Sequence, residues 1–130
     1  MLPAMNEKAP SPLAQYRAGL ARGELGYQVD ADGRPVFYPR VTAPQGRRGP
    51  LSWAVSGGLG TVYATTFISP KGEPAYSVAL IAMDEGFRLM SRVEALAAEQ
   101  VRIGLRVKLR AQPGHDDDGP YPVFEPLELA

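Results

Sequence analysis

Leu51-Ser52-Trp53-Ala54-Val55-Ser56-Gly57-Gly58-Leu59-Gly60-Thr61-Val62-Tyr63-Ala64-Thr65-Thr66-Phe67-Ile68-Ser69 reads as two strands with a break between them. Leu51 to Ser56 alternates apolar and polar, the period of a strand with one face covered. Gly57-Gly58 interrupts the pattern, and Leu59 to Ser69 is rich in Val, Thr, Tyr, Phe and Ile, which suit a pleated, half-buried surface. Downstream, Pro70-Lys71-Gly72-Glu73-Pro74 is a loop, Ala75 to Asp84 a strand, Asp84-Glu85-Gly86 a turn, and Phe87 to Val93 a fourth strand. Glu94 to Gln100 is rich in alanine and suits one or two helical turns. After Arg102-Ile103-Gly104, Leu105, Val107 and Leu109 alternate with Arg106, Lys108 and Arg110, a strand with one wet face. Gly114 to Gly119 reads as an exposed loop, and Tyr121 to Leu129 as a last extended piece.

Upstream, Ser11-Pro12 is a helix start: a serine cap, then a proline whose missing N–H costs nothing at the first helical position. Leu13, Tyr16 and Leu20 recur at helical spacing, and Gly23 ends the segment. Such a short amphipathic helix is marginal alone and must dock on something. Asp30-Ala31-Asp32-Gly33 and Pro44-Gln45-Gly46 are turns between short extended pieces, a ribbon with two knuckles. The expected organisation is a leader over residues 1–10, a helix and ribbon arm over 11–49, and a barrel over 50–130. The fold class is mainly β: five strands closing a barrel of the OB type.

Composition narrows the chemistry. The 130 residues make one ordinary domain, and 45% hydrophobic residues can fill a core. Gly 14 and Pro 13 agree with many short strands and tight turns. Lys plus Arg and Asp plus Glu both number 14, so the basic excess that phosphate-backbone binding uses is missing. The chain has no cysteine, which excludes disulfides, thiolate nucleophiles and thiolate-held metals. No apolar run has signal-peptide or membrane-span length, and the chain reads as cytoplasmic.

The run from Trp53 to Thr66, the helix end Leu20-Ala21-Arg22-Gly23-Glu24-Leu25, the stretch Val101-Arg102-Ile103-Gly104-Leu105-Arg106-Val107 and the closing Pro122-Val123-Phe124 together resemble the acyl-CoA-associated OB-fold family, the domain-of-unknown-function-35 type. The resemblance covers roughly residues 12–127. It implies an N-terminal helix and a rubredoxin-like zinc ribbon ahead of the barrel, and an accessory role beside thiolase-fold enzymes, presenting or shielding a coenzyme A thioester. In the family, cysteine pairs hold zinc at the two knuckles. The matching positions here are Val29 and Asp32, then Thr42 and Gln45, and none is a thiol. A degenerate, metal-free ribbon follows, held by the Asp32-Gly33 turn and by packing of Tyr27, Phe37 and Tyr38.

Candidate site residues are few. Arginine grips phosphate in bidentate fashion, so Arg40, Arg47 and Arg48, with Trp53, form the candidate coenzyme A set; a solvated charged surface or a rim contact to a partner competes with that reading. His115 among Asp116, Asp117 and Asp118 could suggest a metal, but consecutive residues cannot all converge on one ion, and a solvated loop is the plainer reading. Ser56-Gly57-Gly58-Leu59-Gly60 lacks the Lys-Ser/Thr ending of a phosphate loop and reads as a barrel bend. Trp53, Tyr63, Phe67 and Tyr76 could stack single-stranded nucleic acid, the alternative function, although spaced within strands they read first as core. One histidine supplies no acid–base set, so catalysis is expected in a thiolase-like or condensing partner, not here.

Overall fold

The computed structural model describes residues 10–128. Helix α1, Pro12–Ala21, starts where its cap dictates: Ser11 Oγ accepts the Ala14 N–H at 3.1 Å. It ends at Arg22, with Gly23 at φ +83° behind it. The leader expected over 1–10 lies outside the described residues except for Pro10.

A small antiparallel sheet follows, built of β1 (Gly26–Val29), β2 (Pro35–Val36) and β3 (Ser52–Val55) in the order β2-β1-β3. Ser52–Val55, expected to open the barrel, pairs instead with β1: Gly26 lies opposite Val55 and Gln28 opposite Trp53. The glycines after it free the chain to turn from ribbon into barrel.

The barrel itself comprises β4 (Leu59–Ile68), β5 (Tyr76–Met83), β6 (Arg88–Val93), β7 (Arg106–Leu109) and β10 (Val123–Pro126). It closes in the order β10-β6-β5-β4-β7, with β10 parallel to β6 and antiparallel to β7, the five-stranded OB arrangement. The helical turns expected over Glu94–Gln100 reduce to a 3-10 turn, Ala98–Gln100. Alternation is strict along β5, where Ser77, Ala79, Ile81 and Met83 point inward. They meet Val62, Leu89, Val93, Val107 and Phe124 in one core, which Tyr16, Leu20 and Leu25 extend beneath the helix.

Buried polar groups inside it are satisfied. Ser77 Oγ takes the Val93 N–H at 2.9 Å, and Ser91 Oγ donates to the Pro122 carbonyl at 2.7 Å. Gly60 stands where β4 crosses β5 so closely that a Cβ would lie 2.7 Å from Ile81 Cγ2 and 2.9 Å from the Ala82 carbonyl oxygen; only glycine fits.

Gly114 to Gly119, expected as a loop, is mostly a hairpin: β8 (Gly114–Asp116) pairs with β9 (Gly119–Tyr121) and packs on α1. Asp118 N–H donates to Asp116 Oδ1 at 2.8 Å, an Asx-type turn that alternation alone does not announce.

Candidate functional site

The strand aromatics correct their sequence reading first. Tyr63 is 50% exposed, Phe67 46% and Trp53 36%, so these rings are not core. Size misled the expectation: the interior of so small a barrel is filled by Val62, Ala79, Ile81, Met83, Val107 and the one ring of Phe124, leaving no room for these others. Tyr63 and Tyr76 lie on the outer face, where guanidinium carbons of Arg88 and Arg92 sit 3.9 and 4.1 Å from the respective ring centroids. Met90, 61% exposed, stands between these arginines on β6.

A cavity of about 480 Å³ opens on this face, between α1, the outer side of β5 and β6, and the β8–β9 hairpin. Tyr16 and Arg17 line it from the helix, Tyr38 from the ribbon, Arg88 and Met90 from β6, and Tyr121 from the hairpin. On OB barrels, the second and third strands together with the loop before the last strand form the usual ligand face. Here that loop carries β8 and β9. Burial, and to a lesser extent neighbouring Tyr38, pushes the Tyr16 phenol well above its ordinary value, so it remains a neutral wall of the cavity. These residues span more than a hundred positions of sequence, and no local motif could have brought them together.

The ribbon gives the three arginines a different role from the one expected. Asp30 side-chain oxygens are buried and accept the backbone N–H groups of Asp32 and Arg34, each at 2.9 Å. Arg47 Nε donates to the same carboxylate, and Arg47 Nη2 donates to the Pro35 carbonyl at 2.7 Å. Arg48 clasps Asp32, its Nη2 2.6 Å and its Nε 3.1 Å from Oδ1. Gln28 closes the set: Arg40 N–H donates to its Oε1 at 2.7 Å, and its Nε2 donates to the Arg40 carbonyl at 2.9 Å. The two knuckles are thus sewn together by carboxylate–guanidinium pairs and side-chain amide bonds. The hydrogen bond from Arg47 holds the Asp30 carboxyl down at about 2, outweighing the opposing effect of burial. Hydrogen bonding to Asp32 raises Arg48 above its already high value.

The expected packing contributes as well. Tyr27 and Phe37 both stack on Phe87 at the start of β6, with centroids 4.7 and 5.0 Å apart. Phe37 also meets Tyr16 edge-on at 5.5 Å. The ribbon is therefore joined to barrel and helix by rings.

The positions matching the family's zinc ligands do not suit the metal. Val29 has no donor atom, Asp32 is held by Arg48, and Thr42 and Gln45 are neutral oxygen donors that do not replace thiolates. Among the described residues, no group of three or more His, Cys, Asp or Glu stands together as a metal-ligand set. The candidate coenzyme A set does not gather at one place. Arg40 and Arg47 line a shallow depression beside Phe87, while Trp53 lines a groove between α1 and β3.

Ser56-Gly57-Gly58 does receive an anion, but from its own chain. Glu85 accepts the Ser56 hydroxyl at 2.9 Å and the Gly57 N–H at 2.7 Å, while Gly58, at φ +81°, donates its N–H to Ser56 Oγ at 2.9 Å. The bend, expected within the barrel, falls between ribbon and barrel and is pinned to the β5–β6 turn. His115 is exposed on β8. Next to Glu85 in the same turn, Asp84 is gripped by Arg106 in bidentate fashion at 2.7 and 3.0 Å, which lowers the Asp84 carboxyl. No helix among the described residues is long and apolar enough to cross a membrane.

Comparison with known proteins agrees with this geometry. Residues 53–112 match the family described as ChsH2, C-terminal OB-fold domain, from Trp53 on β3 to just beyond β7. No curated protein sequence matches. Among solved structures, a chain of the Ltp2-ChsH2(DUF35) aldolase is similar in fold, with a TM-score of 0.75 and 24% identity over 98% of this chain and 100% of that one. The family match over residues 53–112, the likeness in fold and the closed five-stranded order together show an OB-fold barrel similar to that of the domain-of-unknown-function-35 proteins.

Proposed function

We propose that the chain is a non-catalytic, acyl-CoA-associated subunit that docks on a thiolase-fold enzyme and helps bind or shield a coenzyme A thioester. The observation that carries this reading is the likeness, over nearly the whole chain, to a subunit of an Ltp2-ChsH2 aldolase. One further feature of the molecule supports the docking role. The outer barrel face offers Tyr63, Met90 and Ile68, half-exposed apolar groups flanked by arginines, which is the composition of a protein-contact surface.

Arg40 and Arg48 retain the exposure that a phosphate contact needs, whereas Arg47 is bound into the ribbon by Asp30 and by the carbonyls of Arg34 and Pro35. The single-stranded nucleic-acid reading has balanced charge against it. The outward tyrosines that would stack bases already carry guanidinium groups on their rings.

The test is affinity capture of the tagged full chain from its native lysate, followed by calorimetry with a coenzyme A thioester, with and without the captured protein. Co-purification of a thiolase-fold enzyme in near-equal amount, and thioester binding tighter in the pair than in either alone, are expected. Thioester turnover by the purified chain alone would refute the non-catalytic assignment. Capture without any condensing enzyme would refute the partner.

A further inference from the structure

The two edges of the ribbon sheet are treated differently. At one edge, β2 is only two residues long and begins with Pro35, which has no N–H to offer; its carbonyl is taken by Arg47 Nη2. At the other edge lies β3, Ser52-Trp53-Ala54-Val55, with no proline, charge or bulge, and with no described strand on its outer side. Trp53 and Val55 are 36% and 60% exposed.

The phase of its hydrogen bonds shows what the edge presents. Ser56 N–H donates to the Leu25 carbonyl at 2.8 Å, so Leu25 and Ser56 form a hydrogen-bonded pair. In an antiparallel ladder such pairs alternate. With Gly26 opposite Val55 and Gln28 opposite Trp53, those two positions are the non-bonded ones. The backbone N–H and C=O groups of Trp53 and Val55 therefore point away from β1, toward the open side.

We propose that β3 pairs antiparallel with β3 of a second copy of this chain about a two-fold axis at Ala54. This inference is independent of the partner-enzyme reading. The occupant is specified by self-complementarity. Trp53 falls opposite Val55 of the partner copy and exchanges both N–H···O=C bonds with it, and the symmetric pair repeats the exchange. Every outward backbone group of Trp53 and Val55 is satisfied by the two-fold alone, which is how an isologous interface closes. The edge carries no charge, so no like charges meet across it. Each exposed Trp53 ring gains an apolar cross-strand neighbour in Val55 of the partner copy. The ring's inner edge is already placed over Gly26, where a Cβ would lie 3.3 Å from it. The joined sheet runs β2-β1-β3 and then β3-β1-β2 of the partner copy, ending on both sides at the blunted, proline-bearing edge. A contact of four-residue strands is small, and the dimer belongs to the weak, reversible class.

Trp53 is the chain's single tryptophan, so its emission reports this edge alone. Sedimentation equilibrium and fluorescence are followed together over a wide concentration range on the full chain. The expected result is a reversible monomer–dimer equilibrium with Trp53 emission moving to shorter wavelength as mass increases. Val55→Pro removes an N–H that β1 does not use, and should weaken association about tenfold or more with an unchanged circular dichroism spectrum. Val55→Lys, which keeps the N–H but buries a charge at the seam, should weaken it too. A concentration-independent monomer overturns the proposal, as does a dimer that both folded variants leave intact. Dimer formation only after removal of residues 1–9 would assign the edge to the chain's own N-terminal segment and overturn it equally.

Discussion

Replacing Phe87 by alanine should loosen the ribbon from the barrel before it unfolds the barrel. Phe87 is 5% exposed and opens the turn into β6. Its ring is stacked between those of Tyr27, at 4.7 Å and 26°, and Phe37, at 5.0 Å and 23°. Truncating a buried phenylalanine costs about 3–5 kcal/mol through lost transfer energy and the cavity left behind. The two ring pairs account for roughly 0.5–1.5 kcal/mol each beyond their buried area. A domain of this length holds on the order of 6–20 kcal/mol in all, so the variant still folds. Its melting temperature should fall by roughly 10–20 °C.

The loss is not shared evenly, because both stacked partners belong to the ribbon and its approach, and neither is in the barrel core. Trp53 sits on β3 of the ribbon sheet and reports its opening by fluorescence, whereas far-ultraviolet circular dichroism is dominated by the barrel strands. In urea, at dilution sufficient to keep the chain monomeric, the wild type should show coincident transitions by both probes. In Phe87→Ala, the fluorescence transition should come first. Phe87→Leu, which retains most of the apolar volume, should lose only about 1–3 kcal/mol and restore coincidence. A loss below about 1 kcal/mol in Phe87→Ala, or coincident transitions despite a large loss, would refute the coupling drawn from these rings.

Three further outcomes follow from the same contacts. The Asp30 carboxyl lies at about 2 in the fold against an ordinary value of 3.8, so its contribution is fully present above about 4 and disappears as pH falls from there toward 2. Acid titration of stability should show this slope in the wild type, and Asp30→Asn should flatten it while lowering stability at neutral pH. Gly60→Ala pushes a methyl group into Ile81 Cγ2 and the Ala82 carbonyl, and should cost about 1–3 kcal/mol in chemical denaturation with no change in ligand or partner binding. A strong chelator should leave the melting temperature unaltered, since the knuckle residues are not zinc ligands; a drop on chelation would show that a bound metal contributes to stability.

What was legible in the sequence is what local chemistry determines. Ser11-Pro12 and Gly23 delimit α1 because cap and left-handed glycine act within one turn. Alternation gave the covered and wet faces of β7, where Leu105, Val107 and Leu109 alternate with Arg106, Lys108 and Arg110; β5 is apolar on both faces, and only the structure shows Ser77, Ala79, Ile81 and Met83 to be its inward set. The partnership of Ser52–Val55 was not legible. A strand's pattern states that a face is covered, not by which sheet, and the chain leaves β3 for the barrel through a Gly57-Gly58 bend that Glu85 holds from the adjacent β5–β6 turn. The outward aromatics were not legible either: Tyr63 follows inward-facing Val62 and so faces out, but Leu59 to Ser69 carries apolar and β-branched residues on both faces and gives no sign of which one the barrel covers. The cavity beside Arg17, Arg88 and Tyr121 depends on three separate elements converging, and nothing within any one of them signals it.

The ribbon shows how a fold can keep its shape when the chemistry that usually holds it is gone. A zinc knuckle is fixed by one ion that draws four ligands to a point. Here the same two turns are joined by distributed bonds, Asp30 to Arg47, Asp32 to Arg48, and Gln28 to the Arg40 backbone, each spanning from one knuckle to the other. Such bonds need acceptors and donors of opposite charge on facing turns, which explains why arginines and aspartates concentrate in these segments while the chain as a whole is neutral. It also changes what those arginines can do. A guanidinium already sharing its fork with a carboxylate gives up that ion pair when it takes a phosphate, and Arg47, enclosed by Asp30 and two carbonyls, would have to leave the ribbon to do so. Arg40 and the one Arg48 nitrogen not bonded to Asp32, Nη1, bear no such cost, so under the proposed role a coenzyme A phosphate would meet this arm along its outer rim, not through its centre.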